Sequence, residues 1–233
     1  MIILSMKKRK IGYTYGSVSG HFSFRKLKSI AFESTLERDF LRLLEFNDSV
    51  SDIVGQPFTL EYTNNNGVKT KYTPDFLVHF NEPDASLSKI QRKSLLVEVK
   101  PKDKLSKEFA KYRERFKIAV KYAQSNDMIF KIYDESRIRN PYLKNIIFLK
   151  RYKLLPYSKT DEDNILSYVN AVGDISIINI LEYLYITKEQ KSIALGQIWN
   201  MLAKKKLLCH FGEELNKQTI VWINDTIEME ALL

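Results

Sequence analysis

The stretch SLLVEVKP, residues 94–101, is an apolar run that one glutamate interrupts and one lysine follows. Short apolar runs bounded by polar residues are typical of buried strands. Side chains alternate along a strand, so Leu96, Glu98 and Lys100 share one face and the remaining aliphatic residues share the other. Desolvation makes a buried charge costly unless it is paired. The stretch therefore predicts either a partly buried Glu98–Lys100 ion pair or a functional site.

A second acidic residue, Asp75, lies in the strand predicted before this one. The turn NNNG at residues 64–67 predicts a hairpin between a strand at 57–62 and a second strand at about 71–80. If that second strand lies antiparallel to LLVEVK, Asp75 and Glu98 come together. Two adjacent carboxylates repel each other unless a cation lies between them, and Mg²⁺ prefers such oxygen ligands. The pattern therefore favours a functional site over a simple ion pair.

A third acidic residue, Glu37, comes from the helix predicted over residues 33–46, which the polar residues 47–49 end. At about 100° per residue, the leucines and the phenylalanine of this helix form one apolar arc, and Glu37 falls inside it. Glu37 also fits a capping box with Ser34, which is a purely structural use of the residue. Because capping alone does not require a place in the inward arc, we favour a functional role for Glu37.

These acidic residues and the lysine, in this order, resemble the PD-(D/E)xK nuclease pattern: Glu37, then Pro74-Asp75, then Glu98-Val99-Lys100. More narrowly, the segments FESTLERDFLRLLEFNDSV, YTPDFLV and LLVEVKP resemble the TnsA family, the endonuclease subunits of heteromeric cut-and-paste transposases. The resemblance covers roughly residues 20–150. It implies an α/β fold with a restriction-endonuclease-like core, in which helices flank a mixed sheet.

The resemblance also implies a mechanism and partners. Lys100 would lie beside the attacking water, and Mg²⁺ would be the cofactor, with Mn²⁺ able to substitute for it. The ligands would be Glu37, Asp75, Glu98 and the backbone carbonyl of Val99. The reaction would be hydrolysis of double-stranded DNA at the 5′ ends of a transposon. A TnsB-type transposase and a TnsC-type ATPase would be the protein partners.

Two other functions remain open from the sequence. One is a stand-alone restriction or repair nuclease on the same scaffold, which would cut without a transposase. The other is a non-catalytic DNA-binding protein that kept the fold. The complete set of Glu37, Asp75, Glu98 and Lys100 argues against the second alternative, because a protein that does not cut has no use for all four.

The distribution of charge indicates a polyanionic partner. The chain carries a net charge of +9, of which residues 1–160 contribute +14 and the remaining residues −5. Such an excess in one part of a protein is typical of nucleic-acid binding. The predicted DNA contacts are Arg25, Lys26, Lys28, Lys102 and Lys104. We also expect Gln56, next to the predicted strand at 57–62, to lie near the site, either as a turn residue or as support for Glu37 or a phosphate.

The pattern predicts three parts in the chain. They are a basic N-terminal arm at residues 1–30, a nuclease domain at 31–156 and a C-terminal domain at 160–233. In the nuclease domain we expect a helix at 104–125, a strand from Met128 parallel to LLVEVK, and a helix that begins at Asn140-Pro141.

The C-terminal domain is predicted to be a small winged-helix-like α+β module. Its sequence predicts helices at 161–172, 175–186 and 188–204, followed by a hairpin made from KLLCHF and TIVWIN. Winged helices often bind DNA through a basic helix. Because the local charge balance is negative, we expect this module to dock a protein instead.

Composition excludes several other classes. The single Cys209 allows no internal disulfide and no cysteine-based zinc site, which fits a reducing, cytoplasmic setting. No apolar run is long enough to cross a bilayer, so no membrane association is expected. No glycine-rich phosphate loop is present, so we expect no nucleotide cofactor.

Overall fold

The computed structural model describes the backbone of residues 3–5 and the full residues 18–81 and 92–224. The chain divides into two compact units, Met1–Arg139 and Asn140–Leu233. This division falls earlier in the chain than the boundary predicted near residues 156–160. The helix that begins at Pro141 belongs to the second unit, because its Leu149 is fully buried in the core of that unit.

The first unit is a mixed α/β structure. Its elements in chain order are β1 (Ile3–Ser5), β2 (Gly20–Phe24), β3 (Lys28–Phe32), α1 (Thr35–Phe46), β4 (Val50–Gly55), β5 (Thr59–Thr63), β6 (Lys69–Tyr72), β7 (Phe76–Phe80), β8 (Leu95–Val99), α2 (Lys102–Lys107), α3 (Phe109–Ser125), β9 (Ile129–Tyr133) and α4 (Glu135–Ile138).

The sheet that carries LLVEV has four strands in the order β4-β7-β8-β9. The first two pairings are antiparallel, and β9 lies parallel to β8. A parallel neighbour needs a long crossover, which α2 and α3 supply, as the sequence predicted. The strand β4 was not predicted from the sequence, although it supplies one edge of the sheet.

The predicted strand at 71–80 is two strands. The chain breaks at residues 73–75, so that β6 belongs to one sheet and β7 to another. Proline at position 74 lacks the N–H that a continuous ladder requires, which accounts for the break. As a result, β5 lies between β1 and β6 in a separate sheet and does not join β7 and β8.

The predicted basic arm is partly a hairpin. Strands β2 and β3 pair antiparallel from Gly20 to Phe32, and their alternating aromatic and aliphatic residues are buried. These side chains have a core to pack against, which a solvated arm would lack. The other residues of the predicted arm, 1–2 and 6–17, lie outside the described residues, as does most of the predicted loop after β7.

The predicted helix at 104–125 is also divided. Helix α2 ends at Lys107, and Glu108 separates it from α3. Neither glycine nor proline marks this junction, and the helical spacing of apolar residues continues across it. The sequence therefore predicted one helix. The helix α1 matches the prediction closely, with Ser34 as its N-cap and Asn47 as its C-cap.

The second unit combines helices with a small sheet. Its elements are α5 (Pro141–Lys150), α6 (Lys159–Val172), β10 (Ile175–Ser176), α7 (Ile177–Leu184), α8 (Lys188–Ala203), β11 (Leu207–Cys209) and β12 (Ile220–Ile223). The predicted hairpin is present as the antiparallel pair of β11 and β12, and β10 pairs with the other side of β12. The winged-helix-like description and the docking role of this unit stay predictions.

The buried Asn145 connects α5 to the loop between β11 and β12. Its amide nitrogen donates to the carbonyl oxygens of Phe211 and Glu213, at 3.0 and 2.6 Å, and its oxygen accepts from the N–H of Leu215. Buried polar groups are stable when they are bonded in this way. None of the helices in the described parts of the chain is both long and apolar enough to cross a membrane.

Candidate active site at the ends of two core strands

The antiparallel register of β7 and β8 brings Asp75 and Glu98 together. Phe76 lies opposite Val97, so Asp75 lies opposite Glu98. The Asp75 N–H donates to the Val97 carbonyl at 3.0 Å, and the Val99 N–H donates to Oδ2 of Asp75 at 2.7 Å. The pairing predicted from strand alternation is therefore present.

Glu98 is only 2% exposed and has two partners. The ammonium of Lys100 lies 3.0 Å from its Oε1, and the hydroxyl of Tyr72 donates to its Oε2 at 2.8 Å. Tyr72 stands at the end of β6, in a different sheet, and sequence reasoning did not identify it. Its place in YTPDF, three residues before Asp75, was the one signal available in the sequence.

The electrostatics of the pair are unbalanced. Burial, and then the neighbouring carboxylate of Glu98, raise the pKa of Asp75 well above its ordinary value, although Lys100 and the Val99 N–H oppose the shift. Burial opposes the charge of Lys100, but Asp75 and Glu98 outweigh it, and the pKa of Lys100 is raised. The site therefore holds two carboxyl groups but only one ammonium, which is too little positive charge to balance both carboxylates.

Tyr72 stays protonated in this environment. Burial, and then the charge of Glu98 and the hydrogen bond to it, raise the pKa of Tyr72 well above its ordinary value. The phenol is therefore a hydrogen-bond donor, which fixes the plane of the Glu98 carboxylate together with Lys100.

The structure gives Glu37 a capping role. Its N–H donates to the Ser34 hydroxyl at 3.1 Å, its Oε1 accepts from that hydroxyl, and its Oε2 accepts from the Glu33 N–H at 2.7 Å. Burial raises the pKa of Glu37, and the bonds to Glu33 and Ser34, then the charge of Lys100, oppose that shift. Glu37 therefore shares the field of Lys100, but the hydrogen bonds described for it lie at the start of α1.

Gln56 lies beside the site, as predicted for this position. Its N–H donates to the carbonyl of Asp75 at 2.8 Å, and its side chain donates to Oε1 of Glu33 at 3.0 Å. Its φ of 45° is in the left-handed region, which a non-glycine residue adopts at a cost. The side chain supports Glu33, whereas the prediction named either a turn residue or support for Glu37 or a phosphate.

A second group of charges, missed by the sequence analysis, fixes the start of α1. The buried Asp39 accepts from Arg42 at 3.0 Å and from Nε of Arg139 at 3.0 Å. Arg139 also donates to the hydroxyl of Thr35 at 2.8 Å. Arg139 is one hundred positions away from Asp39, so no local pattern could have connected them. Here the arginines outnumber the carboxylate, and the cluster has no negative charge to spare for a metal.

The donor set at β7 and β8 fits a hard divalent cation. Asp75 and Glu98 supply carboxylate oxygens, and Mg²⁺ commonly binds one or two carboxylates together with phosphate oxygens. Asp75 and Glu98 lie together and share one ammonium, that of Lys100, so a further positive charge would be favourable there. Within residues 18–81 and 92–224, no three acidic, histidine or cysteine side chains are grouped closely enough to hold a metal. A ligand role for Glu37 and for the Val99 carbonyl stays a prediction.

The predicted DNA contacts differ in what they already bind. Lys28 pairs with Asp52 at 2.7 Å, and Arg25 lies over the Phe24 ring and donates to the Asn47 carbonyl at 2.9 Å. The remaining three, which are exposed, are Lys26, Lys102 and Lys104. No structural observation tests the DNA-binding role of these five residues.

A mixed sheet flanked by helices, with an Asp and a Glu-x-Lys at the ends of adjacent strands, defines a restriction-endonuclease-like domain. Residues 47–135 match the family model described as TnsA-like endonuclease N terminal. This segment contains Asp75, Glu98 and Lys100, and the match supports a TnsA-family endonuclease, so the resemblance seen in the sequence is confirmed. The match indicates a nuclease of the Tn7 transposition context. A comparison with curated proteins found no match.

Proposed function

We propose that this protein is a Mg²⁺-dependent DNA endonuclease that cuts the 5′ ends of a transposon during cut-and-paste transposition. The observation that carries the proposal is the pairing of Asp75 with Glu98 and Lys100 inside the segment that matches the TnsA-like endonuclease domain. TnsB-type and TnsC-type proteins are the partners expected for this activity.

Asp75 and Glu98 would hold the metal, with the Val99 carbonyl and Glu37 as further candidate ligands. When bound, a divalent cation makes water more acidic and offsets the charge that grows on the phosphate. Tyr72 keeps Glu98 oriented by holding Oε2, so that Oε1 and the Asp75 carboxylate remain on the shared face. The Val99 N–H does the same for Asp75, because it holds Oδ2 at 2.7 Å.

Lys100 acts as a charged donor. Because its pKa is raised, it is an ammonium at neutral pH and does not take a proton from water. Its three N–H groups can orient the attacking water and stabilise the developing charge on the phosphate. The backbone of Lys100 is fixed as well, since its N–H donates to the carbonyl of Tyr133 at 3.0 Å.

A nicking assay on duplex DNA with transposon ends tests this proposal, with the transposase and the ATPase present. We expect Asp75→Ala and Lys100→Ala to lower the rate by about a thousandfold or more, roughly 4 kcal/mol of transition-state stabilisation. Matched controls are Asp52→Ala on β4 and Lys131→Ala on β9, which remove the same charges from the same sheet and should leave the rate unchanged.

Full Mg²⁺-dependent nicking by Asp75→Ala or Lys100→Ala, with the fold intact by circular dichroism, would refute the catalytic assignment. The same assay separates the proposal from a stand-alone nuclease. Cutting that appears only after the transposase is added supports the transposition role, and equal cutting by the isolated chain supports a restriction or repair role.

A further inference from the structure

A second feature of the first unit is an apolar groove between α3 and β9, away from the carboxylates. Its volume is about 700 Å³, and its apolar lining includes Phe109, Phe116, Val120, Phe130 and Ile132. Phe109 is 55% exposed and Val120 39% exposed. Large apolar side chains left open in a concave surface are typical of interaction sites.

Basic side chains surround this groove. Every charged residue that lines it is a cation, and the three are Arg113, Lys117 and Lys121. They follow each other at intervals of four along α3, so they lie on one face of the helix, where like charges destabilise it. Among the described residues none of the three forms an ion pair.

The groove also adjoins an open strand edge. Strand β9 is the outer strand in the order β4-β7-β8-β9, and Ile129 at its start is 40% exposed. In the part of the chain that the structure describes, no strand pairs with that outer edge. An edge of this kind offers backbone donors and acceptors to an added segment.

We propose that this groove docks an acidic, apolar segment of a partner protein. Apolar side chains of the segment fill the space beside Phe109 and Val120, and its carboxylates meet Arg113, Lys117 and Lys121. Apolar anchors surrounded by complementary charges are the usual composition of a specific peptide groove.

Charge alone would also attract nucleic acid, but the shape and lining of the groove favour a peptide. Duplex DNA presents phosphates along its backbone and contacts proteins mainly through them. Its backbone has no apolar side chains that would fill the space lined by Phe109, Phe116 and Val120. Asp75, Glu98 and Lys100 do not line the groove, so the proposed docking site is separate from the candidate active site.

Phage display of random nonapeptides on the immobilised full chain tests the proposal. We expect selected peptides to be enriched in Asp or Glu together with Leu, Ile or Phe. Their dissociation constants, measured by fluorescence anisotropy, should rise at least about tenfold for Lys117→Glu and for Val120→Ser. Both side chains lie at the surface, and circular dichroism would verify that the variants are folded.

Matched controls are Lys69→Glu and Val68→Ser, which make the same changes at exposed positions of the β5–β6 hairpin and should leave the affinity unchanged. Duplex and single-stranded oligonucleotides of equal length form a separate arm. Failure to select any peptide, selection of peptides without acidic residues, or equal binding by all four variants would overturn the proposal. Loss of oligonucleotide binding by Lys117→Glu without peptide selection would assign the groove to nucleic acid.

Discussion

Both units bury a carboxylate next to a lysine, but the balance of charge around it differs. In the second unit Glu162 is 6% exposed, and one oxygen accepts from Lys206 at 2.5 Å and from Lys159 at 3.0 Å. Burial alone would raise the pKa of Glu162, but the two lysines outweigh it and the pKa is lowered. In the first unit Asp75 and Glu98 share the single Lys100, and the pKa of Asp75 is raised.

The comparison shows how a buried ion pair that stabilises a fold differs from a candidate site. At Glu162 two lysines meet the buried carboxylate, and Lys159 also pairs with the exposed Asp163, so the charges balance and the group is satisfied by the protein alone. At Asp75 and Glu98 the anions outnumber the cation, so the fold retains a charge that a bound cation would satisfy. Burial and a lysine partner are common to both and do not distinguish them.

The largest expected effect on stability is at Lys206. Lys206→Met leaves the buried Glu162 with only Lys159, and we expect the free energy of unfolding to fall by ~2 kcal/mol, below the ~3–5 kcal/mol of a pair with no other partner. Urea denaturation measures the difference, with the exposed Lys153→Met as the control. A loss no larger than that of the control would mean that Glu162 is not held by Lys206 in solution.

The next largest expected effect is at Tyr72. It sharpens the comparison between Glu98 and Glu162, because the described partners of Glu162 are lysines and include no phenol. Tyr72→Phe removes the donor to Oε2 of Glu98, and supporting bonds of this kind alter metal affinity by about tenfold or more. We expect the Mg²⁺ concentration for half-maximal nicking to rise about tenfold, and the rise in melting temperature on Mg²⁺ addition to be smaller than in the unsubstituted protein. Tyr62→Phe in β5 is the control, and identical Mg²⁺ responses of the two variants would rule out the role of Tyr72.

The smallest expected effect concerns the direction in which stability changes with pH at Asp75. When a carboxyl group has a raised pKa in the folded state, the folded chain becomes less stable as pH rises through that pKa. In the absence of metal, Asp75 therefore destabilises the folded chain at neutral pH. Asp75→Asn keeps an acceptor for the Val99 N–H, and we expect the melting temperature in EDTA to rise by at least about 2 °C at neutral pH. The gain should vanish in acid, below the ordinary pKa of aspartate.

Asp52→Asn provides the contrast for that measurement. The pKa of Asp52 is lowered, since Lys28 outweighs the effect of burial, so this substitution should not stabilise the chain at neutral pH. Stabilisation by both variants, or by neither, would show that the surplus of negative charge at Asp75 does not exist in the folded protein.

Local patterns predicted the elements that carry the site but not the sheets they belong to. The alternation in LLVEV predicted β8, and the capping residue Ser34 predicted the start of α1. Strand β4 was missed because VSDIVG is short, carries Asp52, and has an irregular register at Val50 and Asp52 that disrupts alternation. The N-cap Asn140 and the first-turn Pro141 likewise predict α5 without indicating the unit whose core its buried face enters.

Within the site, sequence reasoning found the residues joined by strand register and missed those joined through space. Asp75 and Glu98 follow from the antiparallel pairing of adjacent strands. Tyr72 approaches Glu98 from another sheet, because the chain breaks at residues 73–75 between β6 and β7. Glu37 was placed by its position in the apolar arc, whereas its hydrogen bonds reflect the competing use of the same residue as a cap.

The parallel pairing of β8 with β9 determines when the candidate site can form during synthesis. The backbone of Lys100 gains its partner at Tyr133 only after the whole α2–α3 crossover has been translated. Closing such a long connection is slow compared with forming a hairpin. A ribosome-bound fragment that contains Asp75, Glu98 and Lys100 but not β9 thus has every charged group, but the backbone of Lys100 is not yet held in place. Cutting activity would accordingly be absent from incomplete chains.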